Sequence, residues 1–220
     1  AGYRSKYNAI LEGDDYWTRC DKLQIQVDFL ENNPEYSACH HGFYILKLDG
    51  SYSSLKKNVK NKSNIGKYKI INVHTVLYNT EIYDDFIKQL LKFSPPGDML
   101  LTLYIELHKG SKELSLLDGS SVYRKHENGQ WNKLSYFERF PLYTQYKIAK
   151  FEILKSLNYV ELIENLYHGI IYDFQQLIID SKEQNKYFKY YIYLLKLSFI
   201  IVKNKDYKGI KYCMRKLVMR

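Results

Sequence analysis

Near residue 133 the sequence changes character, and that change limits the folds open to the chain more than any single motif does. Up to about residue 130, short apolar runs that suit strands alternate with amphipathic stretches that suit helices. From Ser135 onward only the helical spacing persists, interrupted by short loops near Asn158, Lys182–Gln184 and Asn204–Asp206. A body mixing strands and helices, followed by helices alone, is an α/β unit with a helical segment appended. The expected division is 1–132 and 133–220. Charge divides at the same place. Residues 1–132 carry 17 Lys+Arg against 16 Asp+Glu, whereas residues 133–220 carry 16 against 8. The formal net charge of +9 therefore belongs to the second segment, which predicts an anionic surface as its neighbour.

Within the first segment, Tyr7 to Glu12 reads as a buried strand ending in acids. Asp21 is placed to cap a helix from Lys22 to Glu31 with Leu23, Val27 and Leu30 inward, and Asn32-Asn33-Pro34 stops it. Tyr36 to Leu48 reads as one strand closed by the turn pair Asp49-Gly50. Residues 51–68 are polar and lack periodicity, which predicts a mobile loop with at most a short helix. Tyr68 to Tyr78 reads as a strand, and Thr80 to Lys92 as a helix with Ile82, Phe86, Ile87, Leu90 and Leu91 inward. Ser94-Pro95-Pro96-Gly97 is a rigid turn, after which Asp98 caps a helix from Met99 to His108, closed by Gly110. Lys112 to His126 holds one or two strands broken at Asp118-Gly119. Cys20, Cys39 and Cys213 are odd in number and far apart, which favours free thiols in a reducing compartment over zinc or disulfides. The longest apolar run, Tyr190 to Val202, contains Lys196 and falls short of the ~20 residues a spanning helix needs.

The densest chemistry lies in Leu11-Glu12-Gly13-Asp14-Asp15-Tyr16-Trp17-Thr18. Three acids at the end of a strand face the cleft where α/β folds hold ligands. Packed carboxylates repel one another and call for a cation. An all-oxygen set favours a hard divalent ion, Mg²⁺ or Mn²⁺, able to bridge a diphosphate. Gly-Asp-Asp is also ordinary turn chemistry, so composition alone leaves a solvated acidic turn open.

Order resolves that choice. Glu12 to Thr18, followed by Asp21-Lys22-Leu23-Gln24 and Gln26-Val27-Asp28-Phe29-Leu30-Glu31, closely resembles the metal-site motif of family 2 glycosyltransferases and the Lys-Leu-Gln-x-Gln helix after it. Asn33-Pro34 and Cys39-His40-His41 resemble the next helix end and strand of that family. Pro96-Gly97-Asp98 resembles its catalytic-base segment, and Tyr123-Arg124-Lys125-His126 with Gly129 and Trp131 resembles its Tyr-Arg-x-His…Gly-x-Trp segment. The likeness runs to about residue 135. Arg19-Cys20 stands where the family usually has Asp-Pro, and Met99 where it often has Trp.

The resemblance implies a partial GT-A (nucleotide-diphospho-sugar transferase) mixed sheet with a C-terminal all-helical segment. It implies Glu12, Asp14, Asp15 and His126 as metal ligands, and Asp14, Arg124, His126 and Trp131 on the donor diphosphate. Asp98 becomes the base that deprotonates the acceptor hydroxyl. His41, His74 and Thr75 fall on the acceptor side. The activity expected is inverting transfer from a nucleotide sugar to a saccharide or lipid-linked acceptor, with Mn²⁺ or Mg²⁺, in bacterial surface polysaccharide synthesis. The chain enters its first strand almost at Ala1, so the nucleotide-binding half is expected to be missing. A catalytically incomplete remnant serving as a binding or scaffold protein is the alternative. The expected setting is the cytoplasm, at the inner face of the membrane. The basic, aromatic tail (Lys186-Tyr187-Phe188-Lys189-Tyr190-Tyr191) suits a peripheral membrane contact, or else a packed bundle with a solvated basic face. It has few Arg and no recognition motif, which argues against nucleic acid.

Overall fold

The computed structural model describes residues 5–63, 66–127, 129 and 133–204. The chain divides into two compact units, Ala1–Leu134 and Ser135–Arg220. The first is mixed α/β and the second helical.

The first unit contains nine described strands: β1 (Tyr7–Ala9), β2 (Tyr16–Trp17), β3 (Ala38–His40), β4 (Tyr44–Leu46), β5 (Val59–Ser63), β6 (Gly66–Ile70), β7 (Leu77–Asn79), β8 (Ser111–Glu113) and β9 (Ser121–Arg124). Its α-helices are α1 (Lys22–Asn32), α2 (Tyr83–Phe93) and α3 (Gly97–His108). The strands form a mixed sheet of order β1-β7-β3-β8, a second mixed sheet of order β2-β9-β4, and an antiparallel pair β5-β6. In the first sheet only β3 and β8 run parallel; in the second only β4 and β9 do.

The strand expected from Tyr36 to Leu48 is two strands in different sheets. The chain passes between them at Gly42, whose N–H donates to Asp118 Oδ1 at 2.8 Å. A Cβ there would meet that oxygen at 2.7 Å, so only glycine lets the backbone pass. The expected loop 51–68 instead carries β5 and the start of β6, paired with Val59 opposite Ile70. The strand expected from Tyr68 to Tyr78 is cut by a 3-10 turn at Val73–Thr75. The first strand ends at Ala9, so Glu12 lies in the turn beyond it.

Helix α1 shows why an apolar pattern can mislead. Its most buried residues are Lys22, Gln26 and Leu30, while Leu23 and Val27 pack at the flank against Leu30, Cys39 and Leu77. Asp21 is the N-cap residue of the helix, but its side chain makes no capping hydrogen bond; its carboxylate pairs with Arg19 at 2.7 Å. In α2, Ile82 (in the 3-10 turn Thr80–Ile82 that leads in) and Phe86 are buried, but Leu91 is 77% exposed. Helix α3 is buried from Met99 through Ile105 on all sides, and each such Leu or Ile contributes about 1.5–3 kcal/mol. That burial fixes the helix that carries Asp98. Asp98 sits in its first turn rather than at the cap, which is Pro96.

The second unit stacks α4 (Tyr136–Ser156), α5 (Val160–Glu183) and α6 (Tyr187–Lys203) in sequence, α4 on α5 and α5 on α6. At the start of α4, Glu138 reaches back to accept from the Ser135 N–H at 2.8 Å. Asn158 and Asn185 take positive φ of 59° and 56° and end α4 and α5. The amides that follow them fold back onto the helix, Tyr159 to the Leu154 carbonyl and Lys186 to the Ser181 carbonyl. The core is Tyr146, Ala149, Ile153 and Leu154 with Leu166, Ile170, Phe174 and Leu177, closed by Leu194, Leu197 and Ile201. Among the described residues, no helix is long and apolar enough to cross a membrane.

Candidate functional site

Strand pairing brings together motifs more than one hundred residues apart. Asp15 directly precedes β2, and β2 runs antiparallel to β9 with Tyr16 opposite Val122 and Trp17 opposite Ser121. The start of β2 therefore lies beside the end of β9, and the acids meet the Arg124–His126 segment. Asp15 Oδ1 accepts from the Arg124 backbone N–H at 2.9 Å. His126 Nε2 donates to Asp14 Oδ2 at 2.9 Å. Gly119 makes the entry to β9: its φ is +77°, and a Cβ would lie 2.5 Å from the Tyr44 ring.

Glu12, Asp14 and Asp15 each offer an oxygen within 4.8 Å of the others. A backbone bond from Asp15 N to the Glu12 carbonyl closes the turn that gathers them. Asp15 is buried, and its Oδ2 has no hydrogen-bond partner among the described residues. Burial, with the charges of Asp14 and Glu12, pushes the Asp15 carboxyl up to about 6 despite the Arg124 amide. Partial desolvation and the charges of Asp14 and Asp98 raise Glu12 as well. Asp14 is held below the usual carboxylate range, first by the His126 hydrogen bond. Three carboxylates with an orphaned buried oxygen fit a hard divalent cation, which would satisfy that oxygen and remove the repulsion.

Asp98 stands close enough to Glu12 for its charge to be felt there. Its own carboxyl is raised by burial, against a bond from the Met99 amide at 2.8 Å. A raised carboxylate binds a proton more tightly and is a better base. Trp131 lies outside the described residues.

His41, His74 and Thr75 are all buried. His41 Nδ1 donates to the Gly42 carbonyl at 2.8 Å, and His74 Nδ1 bonds the Ser121 hydroxyl at 3.0 Å. Thr75 Oγ1 donates to the Asn72 carbonyl at 2.7 Å. Burial depresses both imidazoles, His41 to about 4 and His74 to about 3, so both are neutral at pH 7. His74 stacks on Tyr123 and accepts through its carbonyl from Trp17 Nε1 at 2.8 Å, which ties β2 and β9 to the core behind the acids.

A further residue there, Lys22, went unremarked by charge and periodicity. It is fully buried and has no carboxylate partner among the described residues. Its Nζ lies 4.4 Å from the Trp17 ring centre and donates to Gln26 Oε1 at 2.8 Å. Gln26 in turn donates to the carbonyls of Cys39 and Thr75. Its signal was the four-residue spacing of two polar residues, Lys22 and Gln26, on a face that also carries Leu30.

No family model matches the chain. It is similar to uncharacterized proteins of Mycobacterium bovis and Mycobacterium tuberculosis, at 29% identity over 138 residues, which is 59% of this chain. That stretch covers 37% of the length of these curated relatives.

Proposed function

We propose that this chain is the acceptor-side portion of a GT-A glycosyltransferase of family 2 type, transferring a sugar from a nucleotide-diphosphate donor to a saccharide or lipid-linked acceptor with inversion. The observation that carries this reading is the meeting of three separate segments at one point. Glu12-Gly13-Asp14-Asp15, Arg124-Lys125-His126 and Asp98 share one electrostatic neighbourhood although spread over more than one hundred residues.

Glu12, Asp14 and Asp15 would hold Mn²⁺ or Mg²⁺. The bound ion supplies charge neutralisation to a departing diphosphate. His126 fixes Asp14 through its hydrogen bond. Arg124 fixes Asp15 through its backbone amide and leaves its guanidinium for a phosphate oxygen. Asp98, desolvated on a rigid helix, takes the proton from the acceptor hydroxyl as that oxygen attacks the anomeric carbon. His41, His74 and Thr75, buried as they are, support the site from behind instead of touching the acceptor.

The test is calorimetric titration of UDP, then GDP, with and without Mn²⁺, into the chain and its Asp15→Ala variant. The reading requires metal-dependent binding that falls at least about 100-fold in the variant. Absence of binding in both proteins sinks it for this chain alone and favours the remnant acting as a scaffold.

A further inference from the structure

Helix α6 is apolar on two faces, and the described residues of the second unit bury only one. Leu194, Leu197 and Ile201 are buried in the bundle. A quarter-turn or more away, Tyr191, Leu195, Phe199 and Val202 are 44%, 67%, 70% and 60% exposed. Their spacing of four, four and three residues sets them in one stripe about 16 Å long, at 1.5 Å per residue. Lys189, Lys196 and Lys203 recur every seven residues and so form a row along one edge of that stripe. Helix α6 contains no Asp or Glu. Lys203 is engaged with Glu152 at 2.8 Å, while Lys189 and Lys196 are exposed, Lys189 within electrostatic reach of Glu138.

A helix apolar all round has a partner on each face. Four partly exposed side chains offer on the order of 400–500 Å² of apolar surface. A stable protein–protein interface takes about 800 Å² per partner, so the stripe is small for a second copy of the chain. A second copy would also set one strongly basic segment against another, since residues 133–220 carry 16 Lys+Arg against 8 Asp+Glu. An anionic surface is complementary. The helix is 17 residues long, carries three lysines and cannot span a bilayer, but an apolar stripe edged by lysines is the form of a helix lying in a lipid interface.

We propose that the Tyr191-Leu195-Phe199-Val202 face of α6 docks on an anionic lipid surface, with the four side chains in the headgroup boundary and Lys189 and Lys196 on lipid phosphates. This is independent of sugar transfer. It is tested by co-sedimenting the full chain with vesicles of phosphatidylcholine alone and of phosphatidylcholine mixed with phosphatidylglycerol. Binding is expected to the mixed vesicles and to be at least about tenfold weaker to the neutral ones. Leu195→Glu with Phe199→Glu abolishes it, while thermal melting is unchanged because both sites are exposed. Lys189→Gln with Lys196→Gln weakens it about 25-fold, at roughly fivefold per lysine. Phe199→Trp gives an independent reading, an emission that shifts to the blue when mixed vesicles are added. Failure to bind mixed vesicles overturns the proposal, as does binding that survives the double Glu substitution. Self-association abolished by that same substitution also overturns it, since the face would then belong to a second copy.

Discussion

The two units treat a buried carboxylate in opposite ways. In the helical unit, Asp173 is almost wholly buried and fully answered: Lys147 donates to it at 2.8 Å and Thr144 at 3.3 Å. In the α/β unit, Asp15 is also buried, yet its neighbours are two more carboxylates and one of its oxygens has no partner among the described residues. An internal lysine removes the cost of burial whatever else is bound. A cluster of acids carries the cost until a cation arrives. The first arrangement serves the fold, and the second trades stability for a site.

The sharpest way to break that contrast is at Asp98, the proposed base. Asp98→Asn keeps the Oδ1 that accepts from Met99 and removes the ability to take a proton. On the proposed function, turnover is expected to fall about 10³-fold, with KM for the donor nearly unchanged. Steady-state kinetics against both substrates decides it. A matched fall in donor affinity would mean that Asp98 belongs to the metal cluster instead.

Next in size is Asp173→Ala. It strands Lys147, whose side chain is only 26% exposed, and should cost about 3 kcal/mol. The urea midpoint of the helical circular-dichroism signal reads this. The proposed metal binding at Glu12, Asp14 and Asp15 should be unaffected, because the two carboxylates lie in different units.

Asp15→Asn should act in the reverse direction on stability. With its carboxyl at about 6 in the fold against 3.8 unfolded, the native state holds the proton more tightly. Ionised Asp15 therefore costs stability, a cost that grows as pH rises from about 4 through 6 and is complete at pH 7. The asparagine variant should be about 2 kcal/mol more stable than the metal-free chain at pH 7 and level with it at pH 4. Added Mn²⁺ should raise the melting temperature of the wild type and leave the variant unmoved.

Much of this was legible in the sequence because it was local. The acids, the Asp98 helix and the three long helices announced themselves by spacing and by short loops near Asn158 and Lys182–Gln184. What stayed hidden depended on contacts far along the chain. The break of residues 36–48 into two strands follows from Gly42 passing against Asp118, and no window around residue 42 contains Asp118. The β5 strand within 51–68 owes its order to a partner strand, since polar Lys- and Asn-rich residues give no alternation to read. The junction of Asp15 with Arg124 required the register of β2 on β9. In α1 the apolar residues marked the flank, because a lysine placed over a tryptophan ring occupies the inner face.

That lysine offers the finest probe of the comparison. The desolvation of Lys22 lowers its ammonium to about 8, well under the 10.5 of an unfolded lysine. Below about pH 8 it is charged in both states and the whole burial cost stands. Between 8 and 10.5 the unfolded chain binds more protons than the native one, so stability from this group rises with pH. Lys22→Met removes the cost, but it also removes the contact with Trp17 and leaves Gln26 Oε1 without its donor. These nearly cancel, and the variant should differ from wild type by only about 1 kcal/mol at pH 7. The informative quantity is the difference between the two proteins. Tyr78, pushed up to about 12 by burial, makes stability fall at alkaline pH in each protein alike, whereas the Cys39 thiol, raised to about 12 by burial, feels the Lys22 charge and responds differently in the two. In denaturant titrations at successive pH values, wild type should gain on the variant between pH 8 and 10.5 by up to ~1.4 kcal/mol per pH unit. A flat difference would mean that Lys22 reaches water when charged. The α/β unit would then owe its uncompensated charge to the three acids alone.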